Sequence, residues 1–363
     1  MSTTGEGSMD RCGRRLARHL PVPEHRVLLE RTSAGQFGVN WLSTASLRGM
    51  SGDRRLLRDL RARPELPHFT HHHLARYGPL VRRPYLVTVH DLIRLTDLSG
   101  VDPLINQPTM RDRYYVRRDA AAIRGASGVF AISEATRSEL LTRLALDPAK
   151  VAVVHHGLDH ELFRPVRPRL TEQPYLLYVG SEHPRKNLVT LLRALARLRH
   201  NPRWAGLRLV KVGTAGSAEA DFAEPTGQAL HRLQLADAVN FAGEVPDADL
   251  PALYSGAACL VLPSRAEGFG LPPLEAMACG CPVVVSTAGA LPEVVGDAGL
   301  TVDPHDVVGL CAAIRAVLEN DGLRSRLRDA GLRRAAEFSW ERAAAQTLRV
   351  YQQVLEAVRP QSR

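Results

Sequence analysis

Residues 263–275 read Pro-Ser-Arg-Ala-Glu-Gly-Phe-Gly-Leu-Pro-Pro-Leu-Glu, and no other stretch of the chain is as informative. It follows the apolar run 258–262 and opens the apolar run 271–278, which predicts a strand, a glycine turn and a helix. Glycine lets the backbone approach a ligand closely, and the amide groups at a helix start favour an anion such as pyrophosphate. Glu275 would then accept hydrogen bonds from a vicinal diol such as ribose. A tight strand-to-helix connection without a ligand is the alternative.

The spacing of the two glutamates in this stretch points to a known family. Glu267 and Glu275 lie eight positions apart around a Gly-Phe-Gly-Leu-Pro core. The stretch resembles the Glu-seven-residues-Glu motif of the family-4 retaining glycosyltransferases of GT-B fold, and the resemblance continues through 276–286 and 289–299. It implies a catalytic role for Glu267 and a donor site that includes Gly268, Phe269, Gly270, Leu271 and Glu275.

A second motif, at 178–188, reads Tyr-Val-Gly-Ser-Glu-His-Pro-Arg-Lys-Asn-Leu and predicts another strand, glycine turn and helix start. Arg185 and Lys186 would place positive charge against a diphosphate that must be stabilised as it departs; a solvated helix face is the alternative. In the family that the motif resembles, the matching lysine binds the donor diphosphate. Many members carry arginine directly after the glycine, where this chain has Ser181, and we expect Arg185 to substitute for it.

Two further site predictions concern the donor sugar and its base. The run 85–92 ends its strand at His90, at the carboxyl edge of a sheet. Such a histidine is more often structural, but the run also resembles the Val-His-Asp of the family, which implies that His90 contacts the donor sugar as a catalytic residue. The segment 241–246 is expected to frame the base with backbone groups, including those of Val245.

Histidines are dense at His68, His71, His72 and His73, which could suggest a metal site. Consecutive histidines point to different faces of a strand or helix, and no carboxylates in the neighbouring sequence complete a coordination sphere. We therefore expect no metal there. We also expect no cofactor, because Arg185 and Lys186 would balance the diphosphate charge without a divalent ion.

Apolar runs alternate with amphipathic helical segments along the chain, which predicts an α/β fold with parallel sheets. The expected strands are 26–30, 85–90, 128–133, 151–155, 175–180, 207–213, 238–243, 258–263, 282–286 and 300–302. Between the halves, 163–170 carries two prolines and no periodicity, as in a linker. We expect two Rossmann-like, doubly wound domains facing across a cleft, at 1–167 and 168–339, with a helix at 340–358 crossing back to the first.

The N-terminal end departs from the family pattern. Family members begin with a strand and a glycine-containing loop, whereas this chain offers only the loop-like Gly5-Glu-Gly7 before an expected helix at 10–19. We expect that the first strand of the N-terminal domain is missing, or that the true start lies upstream.

Positive charge is concentrated in the first half. Residues 1–170 hold 27 Lys/Arg and 17 Asp/Glu, a net charge of +10, and the remainder holds 20 and 21, a net charge of −1. A basic face attracts nucleic acid, anionic lipid or an acidic substrate, although a GC-rich genome would also supply arginines. Aromatic residues are only 5% of the chain, so base-stacking platforms are scarce. We expect an anionic membrane surface or a phosphate-bearing, lipid-linked acceptor, and no nucleic acid.

Composition also bears on the cellular compartment. The five cysteines are an odd number in apolar or small-residue contexts, which argues against a disulfide framework. No run approaches the ~18 apolar residues of a spanning helix, and the N-terminus lacks a signal-peptide core. These features predict a cytoplasmic protein, peripheral at the inner face of the membrane.

Together these features predict a retaining hexosyltransferase that uses a UDP- or GDP-sugar. It would move a mannose- or glucose-type hexose to a glycan, lipid-linked or small-molecule acceptor. A sugar-nucleotide epimerase or a phosphorylase of similar fold is the first alternative, and a basic nucleic-acid-binding protein is the second.

Overall fold

The computed structural model describes residues 8–21, 54, 56–62, 65–98, 108–167, 174–215 and 223–358. The chain packs as two units, one running to Gly157 and including the C-terminal helix from Trp340, the other spanning Leu158–Ser339. The boundary precedes the expected one at 167/168. The reason lies in backbone contacts, because Leu158 N–H donates to Phe338 O at 3.2 Å and Val166 N–H donates to Ser255 Oγ at 3.2 Å.

The first unit holds a parallel sheet of four described strands in the order β1-β2-β3-β4. These strands are β1 His68–Phe69, β2 Leu86–Val89, β3 Gly128–Ala131 and β4 Val151–Val153. Every residue of β2 and β3 is buried, as expected for parallel strands covered on both faces.

Helices cover this sheet. The labelled helices are α1 Ser8–His19, α2 Gly78–Val81, α3 Ile93–Asp97, α4 Met110–Arg124 and α5 Glu134–Leu144. Helix α4 begins with a capping box, in which Thr109 Oγ1 accepts from Asp112 N and Asp112 Oδ2 accepts from Thr109 N. The C-terminal helix, Trp340–Val358, packs against α1.

The second unit holds a parallel sheet of six described strands in the order β10-β9-β8-β5-β6-β7. They are β5 Tyr175–Val179, β6 Arg208–Val212, β7 Val239–Gly243, β8 Cys259–Leu262, β9 Val283–Ser286 and β10 Leu300–Val302. The strand order reverses at β5, since the chain first adds β6 and β7 on one side and then adds β8 on the other. In such sheets, ligands bind beyond the carboxyl ends of the two strands that flank the reversal.

Seven helices follow these strands in the described residues of this unit. They are α6 Leu188–Arg199, α7 Ala223–Arg232, α8 Leu250–Gly256, α9 Leu271–Ala278, α10 Leu291–Val295, α11 Val307–Glu319 and α12 Asp321–Ala336. Short 3₁₀ turns lie between elements in both units, at His72–Tyr77, Pro148–Lys150, Pro184–Lys186, Pro202–Trp204, Asp247–Asp249 and Gly296–Ala298.

The predicted α/β class with parallel sheets is confirmed in both units. Nine of the ten expected strands are present within three residues of their expected ends, and the helix expected at 10–19 starts two residues earlier, at Ser8. The strand expected at 26–30 lies outside the described residues, as do Gly5-Glu-Gly7 and the question of a missing first strand. Strand β1 was not predicted, because its two residues are too few to show periodicity. No helix in the described part of the chain is long and apolar enough to span a bilayer.

Candidate functional site

The topology of the second unit explains why two distant motifs meet. Strands β5 and β8 are hydrogen-bonded neighbours, with Leu176 opposite Cys259 and Leu177 opposite Leu260. Their carboxyl ends lead into 180–187 and 263–270, the two stretches that carry the predicted donor residues. The reversal of strand order lies between these same two strands, so both loops occupy the place where ligands bind in open α/β sheets.

Glu267 is the centre of a charged cluster at this edge. Lys186 Nζ donates to Glu267 Oε1 at 2.5 Å, and Arg185 Nη1 lies 3.3 Å from Glu267 Oε2. Ser264 Oγ donates to Glu267 Oε1 at 2.8 Å. The glutamate side chain is only 8% exposed, against 12% for the lysine and 22% for the arginine. The structure thus brings together three of the predicted residues, with Arg185 and Lys186 both in contact with the buried carboxylate of Glu267.

The environment of Glu267 favours its ionised form. Burial of the carboxyl group raises its pKa, but the charges of Lys186 and Arg185 and the hydrogen bonds from Lys186 and Ser264 outweigh burial and hold the pKa below its usual value. A carboxylate in this state accepts hydrogen bonds and stabilises nearby positive charge. It is not a proton donor at neutral pH.

Backbone and amide contacts join the two loops. Arg265 N–H donates to Arg185 O at 2.6 Å. Asn187, at φ +59°, donates from Nδ2 to Pro263 O at 2.9 Å and to Pro304 O at 2.7 Å. The turn that carries Arg185 and Lys186 is therefore attached to the loop that carries Glu267, and Asn187 is a structural member of the site that was not predicted.

Gly289 lies directly against the backbone of Glu267. It has φ +59°, and a Cβ at this position would lie 2.2 Å from Glu267 O. The next residue, Ala290, donates its N–H to that same carbonyl at 3.1 Å. Ser286 Oγ donates to Ser264 O. Gly289 lies in a segment already noted for its family resemblance, but only the structure reveals which atom requires a glycine there.

The glycine turn itself has a special geometry. Gly270 precedes helix α9 with φ 120°, and Pro272 lies in the first turn of that helix. Prolines have no amide hydrogen, and Leu274 N–H already donates to Gly270 O at 3.3 Å. Pro273 also lies in this turn, so among its four residues the amide of Leu271 is the donor that remains for an anion.

The remaining predicted donor residues differ in what they present. Phe269 is 4% exposed, and its ring packs edge-on against Phe338 with centroids 5.9 Å apart, so its side chain belongs to the core. Val245 follows β7, two strands away from β5 in the sheet, and is half-buried. It lies at the same carboxyl edge as the charged cluster.

Glu275 is oriented by a residue that sequence inspection missed. Tyr254 is fully buried, and its hydroxyl donates to Glu275 Oε2 at 2.7 Å. Burial and the charge of Glu275 raise the tyrosine pKa well above its usual value, so the phenol keeps its proton and acts as a donor. Tyr254 lies in an ordinary amphipathic helix, α8, with no motif around it.

His90 belongs to the other unit, directly after β2. Its Nε2 lies 2.8 Å from Thr70 O, and its backbone N–H donates to His72 Nδ1 at 3.3 Å. Because a carbonyl oxygen can only accept, Nε2 carries the hydrogen in this contact. The ring is 6% exposed and lies 5.2 Å from that of His156. The His90 side chain is therefore fixed in one orientation.

The neighbouring histidines form a neutral, buried group. Burial lowers the pKa of His72 and His73 well below the usual value, and the charges of His73, His90 and Arg76 lower that of His72 further. His73 Nδ1 lies 3.2 Å from Asp119, which Arg76 holds with two contacts of 2.7 Å. Across the described ranges, no group of three His, Cys, Asp or Glu side chains has the arrangement of a metal site.

Comparison with known proteins is consistent with these motifs. The family model "Glycosyltransferase Family 4" matches residues 13–162, and "Glycosyl transferases group 1" matches residues 159–334. The chain is 37% identical over 67% of its length to the O-antigen chain mannosyltransferase B of Escherichia coli, and 37% identical over 69% of its length to the MMP alpha-(1->4)-mannosyltransferase of Mycolicibacterium hassiacum. It is 32% identical over 80% of its length to D-inositol 3-phosphate glycosyltransferase 1 of Catenulispora acidiphila.

Coverage of these relatives is partial. The chain spans 65% of the E. coli enzyme, 60% of the M. hassiacum enzyme and 72% of the C. acidiphila enzyme. Among solved structures, it resembles the sucrose-phosphate synthase of Thermosynechococcus elongatus with a TM-score of 0.74 and 25% identity, over 96% of this chain and 92% of that one.

Proposed function

Because the chain belongs to the glycosyltransferase family whose models are "Glycosyl transferases group 1" and "Glycosyltransferase Family 4", we propose that it is a hexosyltransferase. It would move a hexose from a nucleotide-diphosphate sugar to an acceptor hydroxyl. Two relatives are named as mannosyltransferases and one solved neighbour as a sucrose-phosphate synthase. These names support a mannose- or glucose-type hexose, and we propose UDP or GDP as the nucleotide. The acceptor is a glycan, a lipid-linked glycan or a small molecule.

One observation carries the proposal: the Lys186–Glu267 contact at the point where the strand order reverses. Two cations and one ionised carboxylate lie there beside the start of helix α9. A diphosphate needs the cations, and a sugar hydroxyl needs the carboxylate. A buried ion pair adds little net stability compared with uncharged residues of similar shape, so ligand binding is the better account of this arrangement.

The reaction that fits is front-face transfer with retention of the anomeric configuration. The bond from the anomeric carbon to the diphosphate oxygen breaks, and the acceptor oxygen bonds to the same face of that carbon. The acceptor proton passes to the leaving phosphate. Arg185, Lys186 and the amide of Leu271 balance the charge of the diphosphate, which requires no divalent metal.

The carboxylates have separate roles in this scheme. Glu267, held ionised by its neighbours, binds a sugar hydroxyl and stabilises the positive charge of the transition state. Glu275, oriented by Tyr254, accepts hydrogen bonds from the ribose diol. Val245 contributes backbone contacts to the base. His90 stays our predicted second contact to the sugar, on the resemblance of its Val-His-Asp segment.

We also propose that the protein works at the cytoplasmic face of an anionic membrane. Helix α4 presents Met110, 83% exposed, and Tyr114, 48% exposed, one turn apart. The exposed positions that follow on the same face include Arg117, Arg118 and Arg124. Both acidic residues of this helix, Asp112 and Asp119, are buried at 2% and 4%. Exposed apolar side chains beside exposed cations, on a helix whose own acidic residues are buried, suit an anionic lipid surface.

A donor screen tests the proposed activity. Binding and hydrolysis of UDP-, GDP- and ADP-sugars would be compared in wild type, Lys186→Ala and Glu275→Ala, with EDTA present. Lys150→Ala is the matched control, since it removes one of the three lysines of the chain from an exposed turn in the other unit. We expect one donor to bind, both site variants to lose it, and the control to retain it. Absence of binding to every donor in wild type would contradict the proposal, and epimerised donor without acceptor would favour an epimerase.

A further inference from the structure

The third lysine of the chain lies inside the sheet that carries the donor motifs. Lys211, in β6, is 1% exposed. Its Cα partner on one side is Tyr178 of β5, and its partner on the other side is Phe241 of β7. Paired positions of adjacent strands point to the same face of a sheet, so these three side chains form a row across the carboxyl half of the sheet.

Every hydrogen of the Lys211 ammonium group has an acceptor. Nζ lies 3.0 Å from Glu182 Oε1, 2.8 Å from Gly213 O and 2.9 Å from Thr214 O. A lysine has three such hydrogens, so none remains for a ligand. Lys211 therefore differs from Lys186, whose side chain is partly exposed, and its contacts hold the loop after β5 to the loop after β6.

These two loops are in close backbone contact. Gly213 has φ +110°, and a Cβ there would lie 2.6 Å from Gly180 O. The Tyr178 hydroxyl donates to Ser181 O at 2.8 Å. The segment 180–183 is thus held by the Tyr178 hydroxyl at Ser181 and by Lys211 at Glu182. It continues directly into the turn that carries Arg185 and Lys186.

Tyr178 interacts electrostatically with members of both ion pairs, Glu182 of the first and Glu267 of the second. Burial raises the pKa of Tyr178 well above its usual value, the charge of Glu267 raises it further, Arg185 lowers it and Glu182 raises it. A group can respond to both glutamates only if it lies near both. Tyr178 is therefore within electrostatic reach of both Glu182 and Glu267.

We propose that the Lys211–Glu182 pair is a positioning device for the donor-diphosphate site, one that sets where Arg185 and Lys186 stand relative to Glu267. The proposal rests on the proposed function and adds to it two residues that touch no ligand. A buried ion pair contributes little net stability compared with uncharged residues of similar shape. Its effect is expected in the geometry of the turn, and so in nucleotide affinity.

Replacement of both partners tests the proposal, because removal of one alone would strand a buried charge. The paired variant is Lys211→Met with Glu182→Gln, which removes both charges together and keeps side chains of similar length. Leu310→Ala is the control; it removes a fully buried side chain of helix α11 and lowers the stability of the same unit without touching either loop. The probes are UDP and GDP, titrated by calorimetry.

We expect the paired variant to raise the Kd of the nucleotide that wild type binds by about tenfold or more, since displaced contacts have effects of this order. The control should bind as wild type despite its lower stability. Amide hydrogen exchange without nucleotide should be faster at 180–186 and 213–214 in the paired variant only. Unchanged exchange in these segments would overturn the proposal. If wild type binds neither nucleotide, the proposed function fails, and the exchange result still decides whether Lys211 holds the loop.

Discussion

Lys186 Nζ donates to Glu267 Oε1 at 2.5 Å, although 81 positions separate the two residues in the chain. The contact exists because β8 pairs with β5 and not with β7, which precedes it in sequence. A cation from one motif and a carboxylate from the other thereby meet at the carboxyl edge. Four properties of this edge and of the first unit, and one of the proposed membrane face, can be tested directly.

Removal of the Glu267 charge should damage turnover far more than folding. Glu267→Gln keeps a side chain of the same shape but loses the ionised carboxylate that Lys186 and Arg185 hold. We expect kcat to fall about 100-fold, the order seen when one electrostatic contact to a transition state is lost. Steady-state kinetics with the donor from the screen measure it. Glu319→Gln, an exposed glutamate of the same unit that contacts Trp204, should leave kcat unchanged; a Glu267→Gln enzyme with wild-type kcat would remove Glu267 from the mechanism.

Loss of one buried hydroxyl should weaken nucleotide binding. Tyr254→Phe removes the hydrogen bond to Glu275 while the ring keeps its packing, so we expect the Kd of the nucleoside diphosphate to rise about fivefold. Tyr175→Phe is the matched control, because its hydroxyl donates to the backbone oxygen of Leu253 at 2.7 Å and not to Glu275. Isothermal titration of both variants gives the comparison. Equal affinities would mean that Tyr254 does not orient Glu275.

An added methyl group at Gly289 should disturb the Glu267 loop. Gly289→Ala places a Cβ 2.2 Å from Glu267 O at φ +59°, whereas Gly243→Ala has a similar φ of +64° and no neighbour within 4 Å. Positive φ alone costs about 1 kcal/mol, and overpacking adds about 2 kcal/mol. Urea unfolding should therefore show the larger loss for Gly289→Ala, together with reduced turnover. Identical losses in the two variants would show that the loop adjusts freely.

The first unit should lose stability in mild acid because of its buried histidines. Burial, and secondly the charge of His90, lower the pKa of His68 from 6.5 to about 3. Below pH 6.5, His68 therefore becomes protonated in the unfolded chain but stays neutral in the folded chain. The free energy of unfolding is highest above this pH and falls as the pH drops below it. For one such histidine the loss at about pH 5 is about 2 kcal/mol.

A variant isolates this contribution. Burial raises the pKa of Asp119 to about 7, which gives the opposite dependence, since that carboxyl group stabilises the fold most when protonated. His68→Gln should therefore show a shallower fall in unfolding free energy between about pH 7.5 and about pH 5 than wild type. Urea denaturation across this range measures both slopes. Parallel curves would show that His68 titrates alike in the folded and unfolded chain.

The cationic face of helix α4 should bind anionic vesicles. Flotation with vesicles that contain about one third phosphatidylglycerol should recover wild-type protein, and Arg117→Gln with Arg118→Gln should weaken recovery about tenfold or more. The control is Arg326→Gln with Arg333→Gln, two exposed arginines of the other unit, which should float as wild type. The membrane proposal would be contradicted if recovery did not depend on anionic lipid. It would also be contradicted if both double variants lost recovery equally.

Several features of the site were accessible from sequence because they depend on local chemistry. The strand–glycine–helix pattern around Glu267 and around Lys186 follows from apolar periodicity and from glycine at the turn. The position of His90 at a strand end follows from the same reasoning. These predictions needed only a few consecutive residues each.

Other members of the site have no motif in the neighbouring sequence that would identify them. Tyr254, Asn187 and Lys211 lie in sequence that looks like any amphipathic helix, helix start or strand. Their contacts are with Glu275, with Pro263 O and with Glu182, which are 21, 76 and 29 positions away. A side chain whose partner is distant in sequence has no periodicity or spacing that marks it.

The sequence by itself determined the α/β class, the parallel strands and the identity of the two donor motifs, because hydrophobic period, turn residues and short motifs are properties of neighbouring residues. The tertiary structure alone decided that β5 lies between β8 and β6. That order is a balance of burial over the whole sheet, in which β8 and β9 are buried throughout while the edge strands β7 and β10 are not. From it follow the contact of Lys186 with Glu267 and the place of Lys211 beneath the loop that carries them.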